Sequence, residues 1–314
     1  MLIKRKSIHS LTTKILSINE ENNIKIFILV DPDSWDLPRF SAGAHLDVYL
    51  ASGKVRQYSL CGDPENSGEY VIAVQKEEGG RGGSSEMHDL KVGMILQVSL
   101  PRNYFPLVDA TRHILVAGGI GITPFLSMVP TLIKQAVDWE LHVCAKSSSR
   151  VACKNLLKTH EKDPRIHMHL SEGGNRLSAS NIISSIGNSD HIYVCGPNSM
   201  IAEMVDLGKE LGNRLHFENF GVDRNITNPA YKVILKKSGS VVKVREGQTM
   251  LQALRIAGIE VASSCEGGIC LECKTRYLEG TPLHLDLVMQ SSDREEYITP
   301  CVSGCTSEEL ILDL

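Results

Sequence analysis

No stretch of this 314-residue chain is apolar and unbroken over the length a membrane-spanning helix needs. The only uncharged run of that length, residues 113–133, contains Gly118, Gly119, Gly121, Pro124 and Pro130 and reads as strand, glycine loop and helix. Charged and polar residues interrupt everything before Ile24, so no secretory signal peptide is predicted. Basic charge is also lacking. With 33 Lys+Arg against 37 Asp+Glu, the formal charge of −4 leaves no electrostatic footprint for nucleic acid. The short run Lys4-Arg5-Lys6 reads as a solvated terminus. No internal repeat and no low-complexity segment occurs. A content of 42% hydrophobic and 22% charged residues describes an ordinary globular protein, at a length that allows two or three domains.

Cysteine, by contrast, is plentiful. Nine cysteines without a secretion signal argue for reduced thiols in the cytoplasm and against a disulfide framework. Cys265, Cys270 and Cys273 are spaced C-x4-C-x2-C, and Cys301 follows after a further stretch. This is the ligand spacing of a plant-type [2Fe–2S] cluster, which moves one electron at a time at roughly −400 mV. Cys305 competes with Cys301 for the fourth position. Cys144 and Cys153, in or beside apolar runs, read as buried inert thiols.

The chain up to about residue 107 reads as β-rich. Strand-length runs at 24–30, 45–50 and 70–74 are separated by Asp31-Pro32, Ser52-Gly53 and Asp63-Pro64, which suggests a closed antiparallel barrel. From Arg112 strands at 113–117, 141–145, 166–170 and 191–195 alternate with helical stretches, one of them from Val151, and predict a parallel α/β sheet. The polar segment 221–229, with Asn225, Asn228 and Pro229, suits a linker. Beyond it, strands at 233–235 and 241–244 and a helix at 250–256 lead to the cysteine loop. The division expected is 1–107, 108–222, a linker at 223–230, and 231–314.

Four motifs carry the chemistry of the first two regions. Arg56-Gln57-Tyr58-Ser59 ends a strand-like run, where an arginine can bind a phosphate bidentately and a tyrosine offers a flat face. The loop Gly79-Gly80-Arg81-Gly82-Gly83-Ser84-Ser85 precedes a helix expected from Glu86, so its backbone N–H groups face an anion. Gly118-Gly119-Ile120-Gly121-Ile122-Thr123-Pro124 follows a buried strand and opens a helix, the setting in which backbone approaches a dinucleotide pyrophosphate. Pro124 stands where a third glycine is usual and suits a first helical turn. Cys195-Gly196-Pro197 ends a later strand, where ligands sit in parallel sheets.

In this order the chain resembles the phthalate dioxygenase reductase family, within the ferredoxin-NADP reductase superfamily, and is similar to its vanillate-demethylase-type reductase subunits. The resemblance rests on Arg56 to Leu60, Gly80-Arg81-Gly82-Gly83-Ser84, Pro101-Arg102-Asn103 with Phe105, Gly118 to Pro124, Cys195-Gly196-Pro197, His216-Phe217-Glu218, the cysteine loop and the terminal Leu310-Ile311-Leu312-Asp313-Leu314. It implies an FMN-binding antiparallel β-barrel, an α/β NAD-binding domain and a β-grasp plant-type ferredoxin. Arg56, Gly82, Gly83 and Ser84 would hold the FMN phosphate, and Gln57, Tyr58 and Ser59 would lie along the flavin. Phe220 would cover the flavin face. Gly118, Gly119, Gly121, Thr123, Pro124, Cys195, Gly196 and Pro197 would bind the nucleotide, with Ser59, Thr123 and Cys195 around hydride transfer. Pro300-Cys301-Val302-Ser303 matches the family string, which selects Cys301 as the fourth cluster ligand.

The chain departs from the family in two places. Leu271 stands where the family usually has glycine, and His284-Leu285-Asp286 lacks the arginine of the family's His-Arg-Asp. Lys146 and Arg150, after the strand at 141–145, could pair with a 2′-phosphate, so NADPH stays beside NADH, which the resemblance favours. A nicotinamide gives up two electrons as a hydride and a Rieske oxygenase takes them singly, so a flavin belongs between. The function expected is the reductase of a two-component Rieske-type oxygenase or demethylase, with no general base. An iron–sulfur redox sensor is the alternative. Glu266 and Glu272 could steer a basic patch on the partner.

Overall fold

The computed structural model describes residues 10–78, 82–158, 162–220, 229–263, 267–268, 271–286 and 289–314. The chain divides into two compact units, Met1–Glu218 and Asn219–Leu314.

The first unit opens with β1 (Ser10–Glu21), β2 (Ile24–Val30), β3 (His45–Tyr49), β4 (Val55–Ser59), β5 (Tyr70–Gln75), helix α1 (Gly83–Asp89) and β6 (Ile95–Ser99). The six strands form one antiparallel sheet in the order β4-β3-β6-β1-β2-β5, and a bridge from Leu60 to Ile72 joins its two ends into the barrel. Alternation puts Ile15, Phe27, Leu29, Leu46, Val48, Leu60, Ile72 and Val98 inside. The long β1 has no clean alternation to announce it, and a bulge between Ile15 and Ser17 shifts its register against β2. Helix α1 begins at Gly83 rather than Glu86, because Gly82 at φ +78° turns the chain directly into it.

The unit continues with β7 (Arg112–Gly118), α2 (Thr123–Gln135), β8 (Asp138–Ala145), α3 (Lys154–Leu157), β9 (Ile166–Leu170), α4 (Ala179–Ser184), β10 (Asp190–Cys195), α5 (Asn198–Leu207) and β11 (Leu215–Glu218). These strands form a parallel sheet in the order β11-β10-β7-β8-β9. The helical stretch from Val151 is reduced to the one-turn α3. Barrel and parallel sheet share a core: Ala42, Cys61, Val71 and Phe105 pack with Leu115, Phe125, Met128, Trp139 and Tyr193. Each large side chain fully buried there contributes about 1.5–3 kcal/mol. Two hydrogen bonds add to the join, from Gly43 N–H to Ser127 Oγ (3.1 Å) and from Val108 N–H to the Tyr193 hydroxyl (2.9 Å).

The second unit holds β12 (Tyr231–Leu235), β13 (Val241–Val244), α6 (Met250–Ile256), β14 (Thr275–Glu279), β15 (Pro282–Leu283), α7 (Ser291–Arg294), β16 (Tyr297–Ile298), β17 (Gly304–Cys305) and β18 (Glu309–Leu312). Its main sheet runs β13-β12-β18-β14-β16, with β12 and β18 parallel and β15-β17 a separate pair. A capping box between Thr249 and Gln252 starts α6, whose Met250, Ala253 and Leu254 pack on Val233, Leu235, Leu310 and Leu312. Residues 221–228 of the expected linker lie outside the described residues. Among the described residues no helix is long and apolar enough to cross a membrane.

Candidate cofactor and electron-transfer sites

In the barrel the two phosphate-capable motifs meet. A Cβ added at Gly83 would enter the space taken by the Arg56 side chain, so the glycine turn lies directly against that arginine. A Cβ at Gly82 would stand 3.6 Å from Lys54 Nζ, a second cation that the motif reading missed. Lys54 is held there by Glu86 (3.6 Å) and the Ser52 hydroxyl (3.2 Å), contacts between loop and helix that a string search does not see. The Ser84 hydroxyl accepts the Glu77 N–H (3.1 Å), which leaves its own proton to donate. Gly79, Gly80 and Arg81 lie outside the described residues.

Along β4, Gln57 Nε2 donates to Asp47 Oδ1 (3.2 Å), and Arg56 Nη1 donates to the Val55 carbonyl (2.7 Å). Burial pushes the Tyr58 hydroxyl well above its usual range, so it stays a neutral donor. Ser59 is buried, and its Oγ has no hydrogen-bond partner. A buried hydroxyl without a protein partner costs about 1–3 kcal/mol and is free to hydrogen-bond a bound group.

In the parallel sheet, two glycine turns interlock at the C-terminal ends of β7 and β10. A Cβ at Gly196 would stand 3.0 Å from the Gly118 backbone, and one at Gly118 would meet Pro197. At Gly121 a Cβ would run into the Cys195 carbonyl. Gly119 takes φ +56°, and Pro124 lies in the first turn of α2 as expected. Thr123 is buried and its hydroxyl donates to the Ile120 carbonyl (3.0 Å). Cys195 is fully buried. Burial holds its thiol well above the usual range, which rules it out as a thiolate nucleophile at neutral pH. Glu218 pairs with Cys195 in register, and its buried Oε2 has no partner. Burial raises its carboxyl to about 8, so it is protonated at neutral pH. In the sequence Glu218 stands out only as part of His216-Phe217-Glu218. Lys146 and Arg150 both follow the C-terminal end of β8. Cys144 is partly rather than fully buried, while Cys153 is fully buried, and burial raises their thiols to about 11 and about 12.

In the second unit Cys273 and Cys301 are both buried, with their sulfurs 3.3 Å apart, beyond disulfide bonding distance and close enough to share a metal centre. Leu251 and Val302 give them an apolar surround. Cys305 turns elsewhere: its sulfur contacts the Thr281 carbonyl (3.3 Å) and the Ser307 hydroxyl (3.0 Å), among the strands of the main core. Cys265, Cys270 and Glu266 lie outside the described residues, and Glu272 is exposed. Leu271 takes φ +56°, the left-handed conformation that glycine would adopt freely. Arg294 reaches the His284-Leu285-Asp286 segment, where its Nη2 donates to Asp286 Oδ2 (3.0 Å) and to the Asp286 carbonyl (2.9 Å). Phe220 falls in the second unit and is about half exposed.

A barrel joined to a parallel nucleotide-type sheet, followed by a cysteine-bearing ferredoxin unit, defines a modular electron-transfer oxidoreductase. Residues 233–306 match the model of the 2Fe-2S iron-sulfur cluster binding domain, and residues 115–206 match the oxidoreductase NAD-binding domain. The chain is 40% identical over 296 residues to a vanillate O-demethylase oxidoreductase of a Pseudomonas species, covering 91% of this chain and 93% of the relative. It is 37% identical over 283 residues to the beta subunit of a heme-dependent oxidative N-demethylase of Ectopseudomonas mendocina, covering 88% and 90%. The solved structure of phthalate dioxygenase reductase superposes with a TM-score of 0.81 at 36% identity, covering 97% of this chain and 98% of that one. The chain belongs to the phthalate dioxygenase reductase family. It is an oxidoreductase, the reductase component of an oxygenase or demethylase system, with NADH, FMN and a [2Fe–2S] cluster as its redox groups.

Proposed function

We propose that this chain serves a cytoplasmic Rieske-type oxygenase or demethylase, and that its named site residues divide the work as follows. Arg56, Gly82, Gly83 and Ser84 hold the FMN phosphate, with Lys54 adding charge. Gln57, Tyr58 and Ser59 seat the flavin, with the Ser59 hydroxyl given to a ring atom. Gly118, Gly119, Gly121, Pro124, Gly196 and Pro197 let the nucleotide approach backbone, and Thr123 and Cys195 orient the nicotinamide. Cys265, Cys270, Cys273 and Cys301 hold the cluster. The bound groups supply the change from paired to single electrons. At the ends of β10 and β11 the protein supplies neutral groups, since burial keeps the Cys195 thiol and the Glu218 carboxyl protonated at neutral pH. No residue is needed as a general base, because a hydride carries its own electron pair.

One observation carries the reading: the unpartnered Ser59 hydroxyl ends β4 three residues after Arg56, which packs on Gly83. Arg56→Ala should weaken FMN retention by about 10–100-fold, the equivalent of a lost charge-assisted contact of roughly 1.5–3 kcal/mol. Full flavin absorbance in the diluted, gel-filtered variant would contradict the phosphate assignment. NADH is the proposed donor. A kcat/KM ratio favouring NADPH would reassign Lys146 and Arg150 to a 2′-phosphate.

A further inference from the structure

One cluster of ligand-type side chains stands apart from every site above. Strand β8 buries Trp139, Leu141 and Val143 on one face of the parallel sheet. Alternation therefore turns Glu140 and His142 to the other face, where His167 is the register partner of His142 on the edge strand β9 and His169 follows two residues later. His142 Nε2 lies 3.4 Å from Glu140 Oε1, and His167 Nε2 lies 3.8 Å from Glu140 Oε2. One ligand atom from each of the three residues falls within 4.8 Å of the others. The two imidazoles are stacked with centroids 4.9 Å apart.

The hydrogen bonding at His142 decides what this cluster can hold. His142 is 7% exposed, its Nδ1 pairs with His169 Nε2 at 2.9 Å, and its Nε2 faces the Glu140 carboxylate at 3.4 Å. A metal-binding imidazole has this pattern: one nitrogen is fixed by an outer hydrogen bond, and the other turns its lone pair to the ion. Imidazole and carboxylate donors together suit Zn²⁺, Ni²⁺ or Cu²⁺ and do not suit Ca²⁺ or Mg²⁺. Tetrahedral Zn²⁺ with bonds of about 2.0–2.1 Å needs its donors roughly 3.3–3.5 Å apart, which small rotations of Glu140 and His167 would reach. The His167 side chain is 43% exposed, so an ion has a path in and a water can take the fourth position.

We propose that Glu140, His142 and His167 form a binding site for a borderline divalent transition-metal ion, oriented by His169 and clipping edge strand β9 to β8. The site is distinct from the cluster thiols and from the nucleotide turns, and its test does not depend on either.

The probe is Zn²⁺ in equilibrium dialysis against the cluster-loaded, FMN-loaded protein, with iron counted on the same sample so that metal taken up by cluster thiols is recognised. About one equivalent of Zn²⁺ should bind with iron unchanged, and the melting temperature should rise with added Zn²⁺. His167→Ala and Glu140→Gln should each weaken binding by at least about tenfold, and His169→Ala by about 10–100-fold, while NADH–ferricyanide activity is unaffected. His167→Ala is the decisive variant, because its partly exposed side chain can be removed without opening the core. No bound Zn²⁺ in the unaltered protein would overturn the proposal and leave Glu140 and His142 as a plain ion pair. Unchanged Zn²⁺ affinity in His167→Ala would overturn it equally.

Discussion

In the first unit the candidate sites are shaped by backbone: Gly83 lies on Arg56, Gly121 on the Cys195 carbonyl and Gly196 on Gly118. In the second unit side chains shape the site: Cys273 and Cys301 bring two sulfurs within 3.3 Å, and the loop beside them accepts a leucine in a left-handed conformation. The difference follows from the groups to be held. An organic cofactor must be approached over a broad surface, so the chain removes Cβ atoms where it draws near. A cluster is bound through four sulfurs, so the loop can tolerate local strain if the thiols stay in place. The two units should therefore fail in different ways when altered.

The largest effect is expected at Gly121. Alanine there would press its Cβ on the Cys195 backbone, which has no flexible side chain to yield. The first unit should lose about 3 kcal/mol of stability in urea unfolding, with NADH turnover falling in step. An alanine variant as stable as the parent would mean the two turns are not tightly interlocked.

A pH titration sharpens the contrast further. His45 is buried in the barrel, and burial followed by the Arg102 charge depresses its imidazole to about 4. His216 falls to about 4 through burial and the neighbouring His191 and His113. Unfolded, both take a proton near 6.5. Their contribution is thus complete above pH 6.5 and is lost as pH falls towards 4. For His45 this is on the order of 2–3 kcal/mol. First-unit stability should drop between pH 6.5 and 4.5, and His45→Gln should flatten part of that slope. A parent curve that is flat over this interval would contradict the buried neutral histidines.

The smallest effect tests the strained loop. Leu271→Gly should relieve a left-handed conformation worth roughly 1 kcal/mol, raising the melting temperature of the second unit with iron content unchanged. Destabilisation by glycine would show that the Leu271 side chain holds the loop through packing.

The modular architecture was legible because each part leaves a local signature. Alternating apolar runs gave β2 and β9 to the residue, and the capped run at 250–256 gave α6. β1 was missed because its burial is irregular around a bulge. Helix α1 starts three residues before the expected Glu86, because Gly83, Ser84 and Ser85 have loop-like composition and Gly82 makes the turn. Lys54, Glu218 and Arg294 were invisible as site residues for one shared reason. Each reaches its place through contacts distant in sequence or across strands, Lys54 through Glu86, Glu218 beside Cys195 and Arg294 onto Asp286. The histidines of β8 and β9 likewise form a group only once the parallel register is known.

The central claim is that single electrons leave through the cysteine-bound cluster while hydride enters at the flavin. The most direct test is the full-length Cys273→Ser/Cys301→Ser double variant, assayed for iron, FMN, NADH–ferricyanide turnover and NADH–cytochrome c turnover, with Cys305→Ser as the control. The double variant should keep FMN and ferricyanide turnover but lose iron and cytochrome c reduction, and Cys305→Ser should keep all four. Cytochrome c reduction at the parent rate in a double variant without iron would contradict the relay.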